Sequence, residues 1–215
     1  MNGLGSYYWD KNFLKHLENE NIQHVFEVGA RYGDESIQLH NIFKNATIFS
    51  FEPNPLTLNA CKEKLSPYDR IMFFDFGLGE KNEILPFYSY VLNNDGASSL
   101  FKRHDFNQSQ KQTGSVKIIK LIDFVREFNI PKIDLLCMDV QGFELNILKG
   151  CEDFLNKVKF IIMEQPKPNI ASSYDGAPDY NTICNFMKNN NFEELEKVHE
   201  NDNEDNVLYV NKNIL

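Results

Sequence analysis

Four residues near the start of the chain have types and spacing that suggest chemistry: Glu27, Gly29, Gly33 and Glu52. Glu27 stands in the apolar run Val25–Val28, and the turn Gly29-Ala30-Arg31-Tyr32-Gly33 follows it. Such a turn uses glycine where the backbone approaches a ligand and takes positive φ without a side-chain clash. Thr47-Ile-Phe-Ser-Phe51 then ends in Glu52, 19 residues after Gly33, with Pro53 next to it. An acidic residue at the tip of a second strand, beside a glycine turn, can accept hydrogen bonds from both hydroxyls of a ribose. The combination points to an adenosine-type ligand.

A second group lies further along. Ile133-Asp-Leu-Leu-Cys-Met138 stops at Asp139, and Val158-Lys-Phe-Ile-Ile-Met163 stops at Glu164. Both carboxylates fall at the carboxyl edge of a parallel sheet, where ligands bind in open α/β folds. Asp139 is the first candidate for a general base, with Glu164 beside it. The same two carboxylates offer hard oxygen ligands to Mg²⁺. The plainer alternatives are that Asp139 caps the next helix and binds the cofactor's amino group, and that Glu164 ends a strand. His104, in a polar loop, is a further candidate base, and Ser98 either binds ligand or caps a turn. Asp75 and Phe76, at the end of a third strand, are placed to meet an adenine ring. Tyr88, Tyr90 and Phe101 are candidates for the wall of an acceptor pocket.

The elements that must position these groups alternate. A lead-in helix is expected over 10–22, capped by Asp10, and a strand over 25–27. A helix over 35–44 follows, capped by Asp34 or Glu35, then a strand over 47–51 and a helix opened by Asn54-Pro55 and running to Leu65. Strands are expected at 70–74, 84–92, 116–119, 133–138 and 158–163, with a short helix at 121–129. Residues 84–115 break the β-α alternation and are expected to form an irregular substrate lid, polar and mobile over 102–115. A helix near 180–190 and a hairpin of strands at 192–198 and 207–210 close the chain.

Composition narrows the class. The chain has 215 residues, 42% hydrophobic and 25% charged, as expected for a single soluble domain spanning 1–215. A net charge of −9 argues against a nucleic-acid partner, whose phosphates call for a basic face. No apolar run reaches the length of a membrane span, and the N-terminal residues lack the build of a signal peptide. The four cysteines are scattered without zinc spacing and read as reduced thiols, which suggests a cytoplasmic protein.

The glycine turn lacks the G-x-G-x-x-G dinucleotide fingerprint and matches the Glu/Asp-x-Gly-x-x-x-Gly motif of S-adenosylmethionine (SAM) methyltransferases. Four stretches in order, 26–33, Phe51-Glu-Pro-Asn-Pro55, Gly96-Ala-Ser-Ser-Leu100 and 133–150, resemble the FkbM family of SAM-dependent methyltransferases; Tyr174-Asp-Gly-Ala-Pro178 and Asn206-Val-Leu-Tyr-Val210 are similar too. The resemblance implies a class I methyltransferase fold, Rossmann-like, with a seven-stranded mostly parallel sheet and a C-terminal antiparallel hairpin. It implies methyl transfer to oxygen, with sugars, glycans or natural-product precursors as acceptors. Glu27, Gly29, Ala30 and Gly33 would contact SAM, Glu52 and Pro53 would lie at its ribose, and Asp75 and Phe76 at its adenine. Asp139 falls on an aspartate of the family's Lys-Ile-Asp-Val-Glu-Gly pattern. The chain departs from that pattern at Cys137, Met138 and Gln141. An NAD-linked oxidoreductase, or a SAM-binding domain that acts only as a partner, is the alternative reading, and a homo-oligomer is an open expectation.

Overall fold

The computed structural model describes residues 10–92, 95–104 and 109–214. Asn93, Asn94 and residues 105–108, parts of the expected lid, lie outside the described residues, as do residues 1–9 of the lead-in.

Asp10 caps α1 (Lys11–Leu17) by accepting the backbone N–H of Asn12 at 2.7 Å. The helix stops at Leu17 rather than 22, because Glu18-Asn19-Glu20-Asn21 brings no apolar side chain to bury. The chain then runs β1 (His24–Val28), α2 (Asp34–Ile42), β2 (Thr47–Phe51), α3 (Leu58–Leu65), β3 (Ile71–Phe74) and β4 (Gly77–Gly79). It continues through β5 (Glu83–Tyr90), β6 (Gln110–Lys120), α4 (Leu121–Glu127), β7 (Ile133–Met138) and α5 (Glu144–Gly150). The last elements are β8 (Val158–Pro166), α6 (Tyr180–Asn189), β9 (Phe192–His199) and β10 (Glu204–Asn211).

Seven strands form one sheet in the order β3-β2-β1-β7-β8-β10-β9. All pairings from β3 to β8 are parallel, and β10 runs antiparallel to both neighbours. Strand side chains alternate between two cores. Phe26, Val28, Leu136, Met138, Ile161 and Met163 pack on one face with α4 and α5, while Val25, Leu135, Cys137, Phe160 and Ile162 pack on the other with α1 and α2. A sheet covered on both faces needs apolar residues at both parities, which is why Ile133–Met138 is buried throughout. Phe124 of α4 anchors the first core edge-on to Phe26, Phe51 and Phe74, with centroids 5.6, 5.0 and 4.9 Å away. Among the described residues no helix is long and apolar enough to cross a membrane.

Several expected details differ. The N-cap of α2 is Gly33 at φ 81°, with no side-chain cap; Asp34 and Glu35 lie in the first turn, where negative charge favours the helix N-terminus. The helix expected to open at Asn54-Pro55 begins at Leu58. Glu52 accepts from the Asn54 N–H and the Thr57 hydroxyl, and Asn54 accepts from Leu56 N–H, so this stretch is held as a turn. β8 passes through Glu164 to Pro166 because β10 pairs along its whole end, with Asn206 opposite Glu164. Within the segment expected to be irregular, residues 83–90 and 110–120 are regular strands: β5 and β6 pair antiparallel and join β4 in a second, three-stranded sheet. Residues 110–115 belong to β6, where only Gln110 is buried and the next five positions are exposed or half-buried; a strand largely in water needs no apolar run.

Candidate active site

The strand order reverses between β1 and β7: the chain leaves β1 for β2 and β3, then returns to the other side of β1. The register pairs Val28 with Met138 and Met138 with Met163, so Gly29, Asp139 and Glu164 emerge side by side at the carboxyl edge. A cavity of about 950 Å³ opens there. Its lining includes Gly29, Arg31, Glu52, Pro53, Ser98, Asp139, Gln141, Glu164 and Tyr174, with the β9–β10 turn, residues 200–204, at one side.

Gly29 has φ 98°, and a Cβ there would stand 2.1 Å from the Asp139 carbonyl oxygen. A Cβ on Gly33 would meet Leu65 at 2.7 Å. Both glycines are therefore required by chain packing, a different reason from ligand approach.

Glu27 is buried beneath the turn and is not part of the lining. Its Oε2 accepts from the hydroxyls of Ser36 and Ser50, while Oε1 has no partner among the described residues. Burial, then the nearby Glu35 charge, pushes its pKa up to about 8. Ala30 is fully buried against Cys61 and Leu65, also away from the cavity.

Glu52 is buried at the tip of β2 and reaches the cavity. Oε2 accepts the Arg31 N–H at 2.5 Å, and Oε1 accepts the Asn54 N–H at 2.7 Å and the Thr57 hydroxyl at 3.1 Å. A carboxylate offers about four acceptor positions, so these three donors leave one, on Oε2. Burial raises the Glu52 pKa to about 7 against these hydrogen bonds.

Asp139, Gln141 and Glu164 form one network. The Gln141 side-chain nitrogen donates to Asp139 Oδ1 at 2.7 Å and to Glu164 Oε2 at 2.8 Å. Its side-chain oxygen accepts from the Tyr174 hydroxyl at 2.6 Å, and its backbone carbonyl accepts from Ser99 Oγ at 2.8 Å. Burial raises the pKa of Asp139 and of Glu164, and in Glu164 the Asp139 charge adds to it. Glu144, at the start of α5, accepts the N–H groups of Val140 and Gly142 at 3.1 and 3.3 Å and so fixes the loop that carries Gln141.

Other expected site residues lie elsewhere. His104 is exposed, with Nε2 3.1 Å from Asp175 Oδ1, and does not line the cavity. Asp75 is exposed and Phe76 packs on Phe51 and Phe74 at 5.9 and 5.6 Å; neither lines the cavity. Ser98 does line it, and caps a short turn by donating to the Asp95 carbonyl at 2.6 Å. Arg31, two residues after Gly29 and itself at φ 50°, reaches Asp95 through Nε at 2.7 Å, and the Tyr32 hydroxyl donates to the same carboxylate.

The residues do not fit the magnesium site expected on Asp139 and Glu164. Gln141 points an N–H₂ group at both carboxylates, and among the described residues no group of three or more His, Cys, Asp or Glu side chains is arranged to hold a metal. They do fit SAM: Glu52 keeps an acceptor for a ribose hydroxyl, and the lining carboxylates suit a ligand bearing a positive sulfonium.

Residues 27–194 match the family model of the methyltransferase FkbM domain. The chain belongs to the FkbM methyltransferase family. This makes it a SAM-dependent methyltransferase rather than a nicotinamide enzyme. Among curated proteins it is 28% identical over 178 residues to the 2-O-methyltransferase NoeI of Sinorhizobium fredii, covering 76% of this chain and 70% of that protein. It is 25% identical over 155 residues to the hexuronic acid methyltransferase AglP of Haloferax volcanii, covering 70% of this chain and 58% of AglP. Similar solved structures include TrmK of M. capricolum in complex with S-adenosyl-homocysteine, with TM-score 0.51, 13% identity, and coverage of 93% of this chain and 67% of that one. Aeropyrum pernix fibrillarin with bound SAM has TM-score 0.53 and 10% identity, covering 88% of this chain and 68% of that one. At such identities the likeness establishes the fold alone: a class I SAM methyltransferase fold.

Proposed function

We propose that this FkbM-family protein methylates a hydroxyl oxygen of a sugar or related polyhydroxylated acceptor, with Asp139 taking the hydroxyl proton. The observation that carries the reading is the Asp139 carboxylate. It lies at the tip of β7 between the Glu52 side of the cavity and the Tyr174 side, with Oδ1 fixed by Gln141 and no described residue donating to Oδ2. SAM, when bound, supplies a methyl group on a positively charged sulfur. Glu52 would hold its ribose, with Pro53 beside it.

An alcohol is a weak nucleophile near neutral pH, so the acceptor needs a base within hydrogen-bond reach. Burial makes Asp139 a stronger base than an ordinary carboxylate, and Oδ2 is the atom that would receive the proton. Gln141 keeps the carboxylate from turning away. The loops around Ser99 and Tyr174 would order the acceptor and limit water. The 2-O-methyltransferase among the relatives supports oxygen as the acceptor atom, and the hexuronic acid methyltransferase supports a sugar-type acceptor.

The test is transfer of label from [methyl-³H]SAM to a panel of neutral, uronic and amino sugars, free and nucleotide-linked. The expected product is an ether that survives mild base. A base-labile ester or an N-methyl product would overturn hydroxyl methylation. Asp139→Asn should lower the transfer rate by about 100-fold or more; a rate within threefold of the wild type would remove Asp139 as the base.

A further inference from the structure

Two carboxylates on neighbouring strands, largely buried in one cavity, repel one another and need something positive or protic between them. Across the gap between Asp139 and Glu164 stands the Gln141 side-chain nitrogen, at 2.7 and 2.8 Å from their oxygens. The amide orientation follows from its partners. With the group turned over, its carbonyl oxygen would face two carboxylates, whereas in the observed sense it accepts the Tyr174 hydroxyl at 2.6 Å. Both hydrogens of the N–H₂ group are thereby used, one on each carboxylate.

The backbone confirms that this placement is held against resistance. Gln141 has φ 54°, a left-handed conformation uncommon outside glycine, and Gly142 follows at φ 99°. Glu144 fixes the flanking N–H groups and Ser99 holds the Gln141 carbonyl. Four segments, the tip of β7, the carboxyl end of β8, the loop at Ser99 and the loop at Tyr174, meet on one residue.

We propose that Gln141 is the positioning residue of this site: its amide occupies the place of a bridging cation, holds Asp139 and Glu164 together without metal, and ties them to the loops over the cavity. The proposal deepens the reading of Asp139 as the base and rests on it for the role of the pair in transfer. A bound cation would draw both carboxylates toward their ionised, weakly basic form, whereas an uncharged amide leaves burial to raise their proton affinity. The Gln141 hydrogen bond works against burial in setting the Asp139 pKa but adds no positive charge to the pair, and a carboxylate at position 141 would convert the pair into an oxygen-ligand set for a hard cation.

The experiment is Mn²⁺ titration, by electron paramagnetic resonance and by broadening of ¹³C-carboxyl resonances, of the wild type and of Gln141→Glu, each also titrated with S-adenosylhomocysteine by calorimetry. The expected result is no saturable Mn²⁺ site at the Asp139 and Glu164 resonances of the wild type. Gln141→Glu should gain one, saturating at least about tenfold below the highest Mn²⁺ concentration at which the wild type shows none, and lost again on adding Glu164→Gln. Saturable Mn²⁺ binding at the pair in the wild type overturns the proposal, and this arm stands alone if Gln141→Glu does not fold. A folded Gln141→Glu that gains no site also overturns it. Failure of the wild type to bind S-adenosylhomocysteine would instead sink the methyltransferase reading, and the Mn²⁺ result would still decide what holds the two carboxylates.

Discussion

The carbonyl oxygen of Asp139 stands 2.1 Å from where a Cβ on Gly29 would lie, so the tips of β1 and β7 close on one another through the absence of a side chain. The backbone N–H of Asp139 donates to the Val28 carbonyl at 3.1 Å just below. An alanine at 29 must push the Asp139 backbone aside and also take φ 98°. We predict that Gly29→Ala costs about 3 kcal/mol and lowers Tm by roughly 6–12 °C. A melt that matches the wild type would show that the two strand ends are not in this contact.

Glu52 carries a second prediction. With a pKa of about 7, it loses its carboxylate charge within the working range of most assays. If its free Oε2 position accepts a ribose hydroxyl, affinity for S-adenosylhomocysteine falls as pH drops below about 7, approaching tenfold per unit. Glu52→Gln should weaken binding by about 10- to 100-fold and flatten that dependence, since an amide N–H₂ must then face donor groups. Calorimetry from about pH 5 to pH 8 on both proteins is the check; a wild-type profile that stays level would remove Glu52 from the binding event.

The buried carboxyls make a prediction about stability of opposite sign. Burial raises Glu27 and Glu144 to about 8 and Glu52 to about 7, all above the ordinary 4.5 of the unfolded chain. Folded protein thus retains protons that the unfolded chain has released. This contribution is fully present below 4.5 and is lost as pH rises through 7 to 8. Stability of the ligand-free protein should fall by a few kcal/mol, and Tm by about 5–10 °C, between about pH 5 and pH 9. Thermal melts across that range test it, and a Tm that rises with pH would contradict the protonation of these groups.

The sheet was readable because strands buried on both faces are written as unbroken apolar runs, as in Ile133–Met138, and because the carboxylates at their tips are conspicuous at the end of such runs. The pairing of β5 with β6 was harder, since β6 is polar over residues 110–115 and its exposure there does not alternate. Long-range polar contacts were illegible for a different reason. Gln141 is one amide in a loop, and its partners Tyr174 and Ser99 lie 33 and 42 residues away. Arg31 and Asp95 are separated by 64 residues. Periodicity encodes which face is buried, and it carries nothing about which polar groups meet across a cavity.

That last pair makes the final prediction. Arg31 joins the turn after β1 to the loop after β5 through Asp95, and Tyr32 donates to the same carboxylate. The two side chains are 41% and 23% exposed, so water screens the pair and its contribution to global stability should stay below about 1 kcal/mol. Its kinetic effect can be larger. The backbone N–H of Arg31 also donates to Glu52, so loss of the Asp95 contact reaches the residue that holds Glu52 as well as the loop beside the cavity. We predict that Asp95→Asn changes Tm by no more than about 2–4 °C yet speeds release of S-adenosylhomocysteine about three- to tenfold. Stopped-flow displacement measures the rate directly. An unchanged off-rate would mean that the clasp does not gate the cavity, and a large loss of Tm would mean that it is a structural bond whose removal reaches the core.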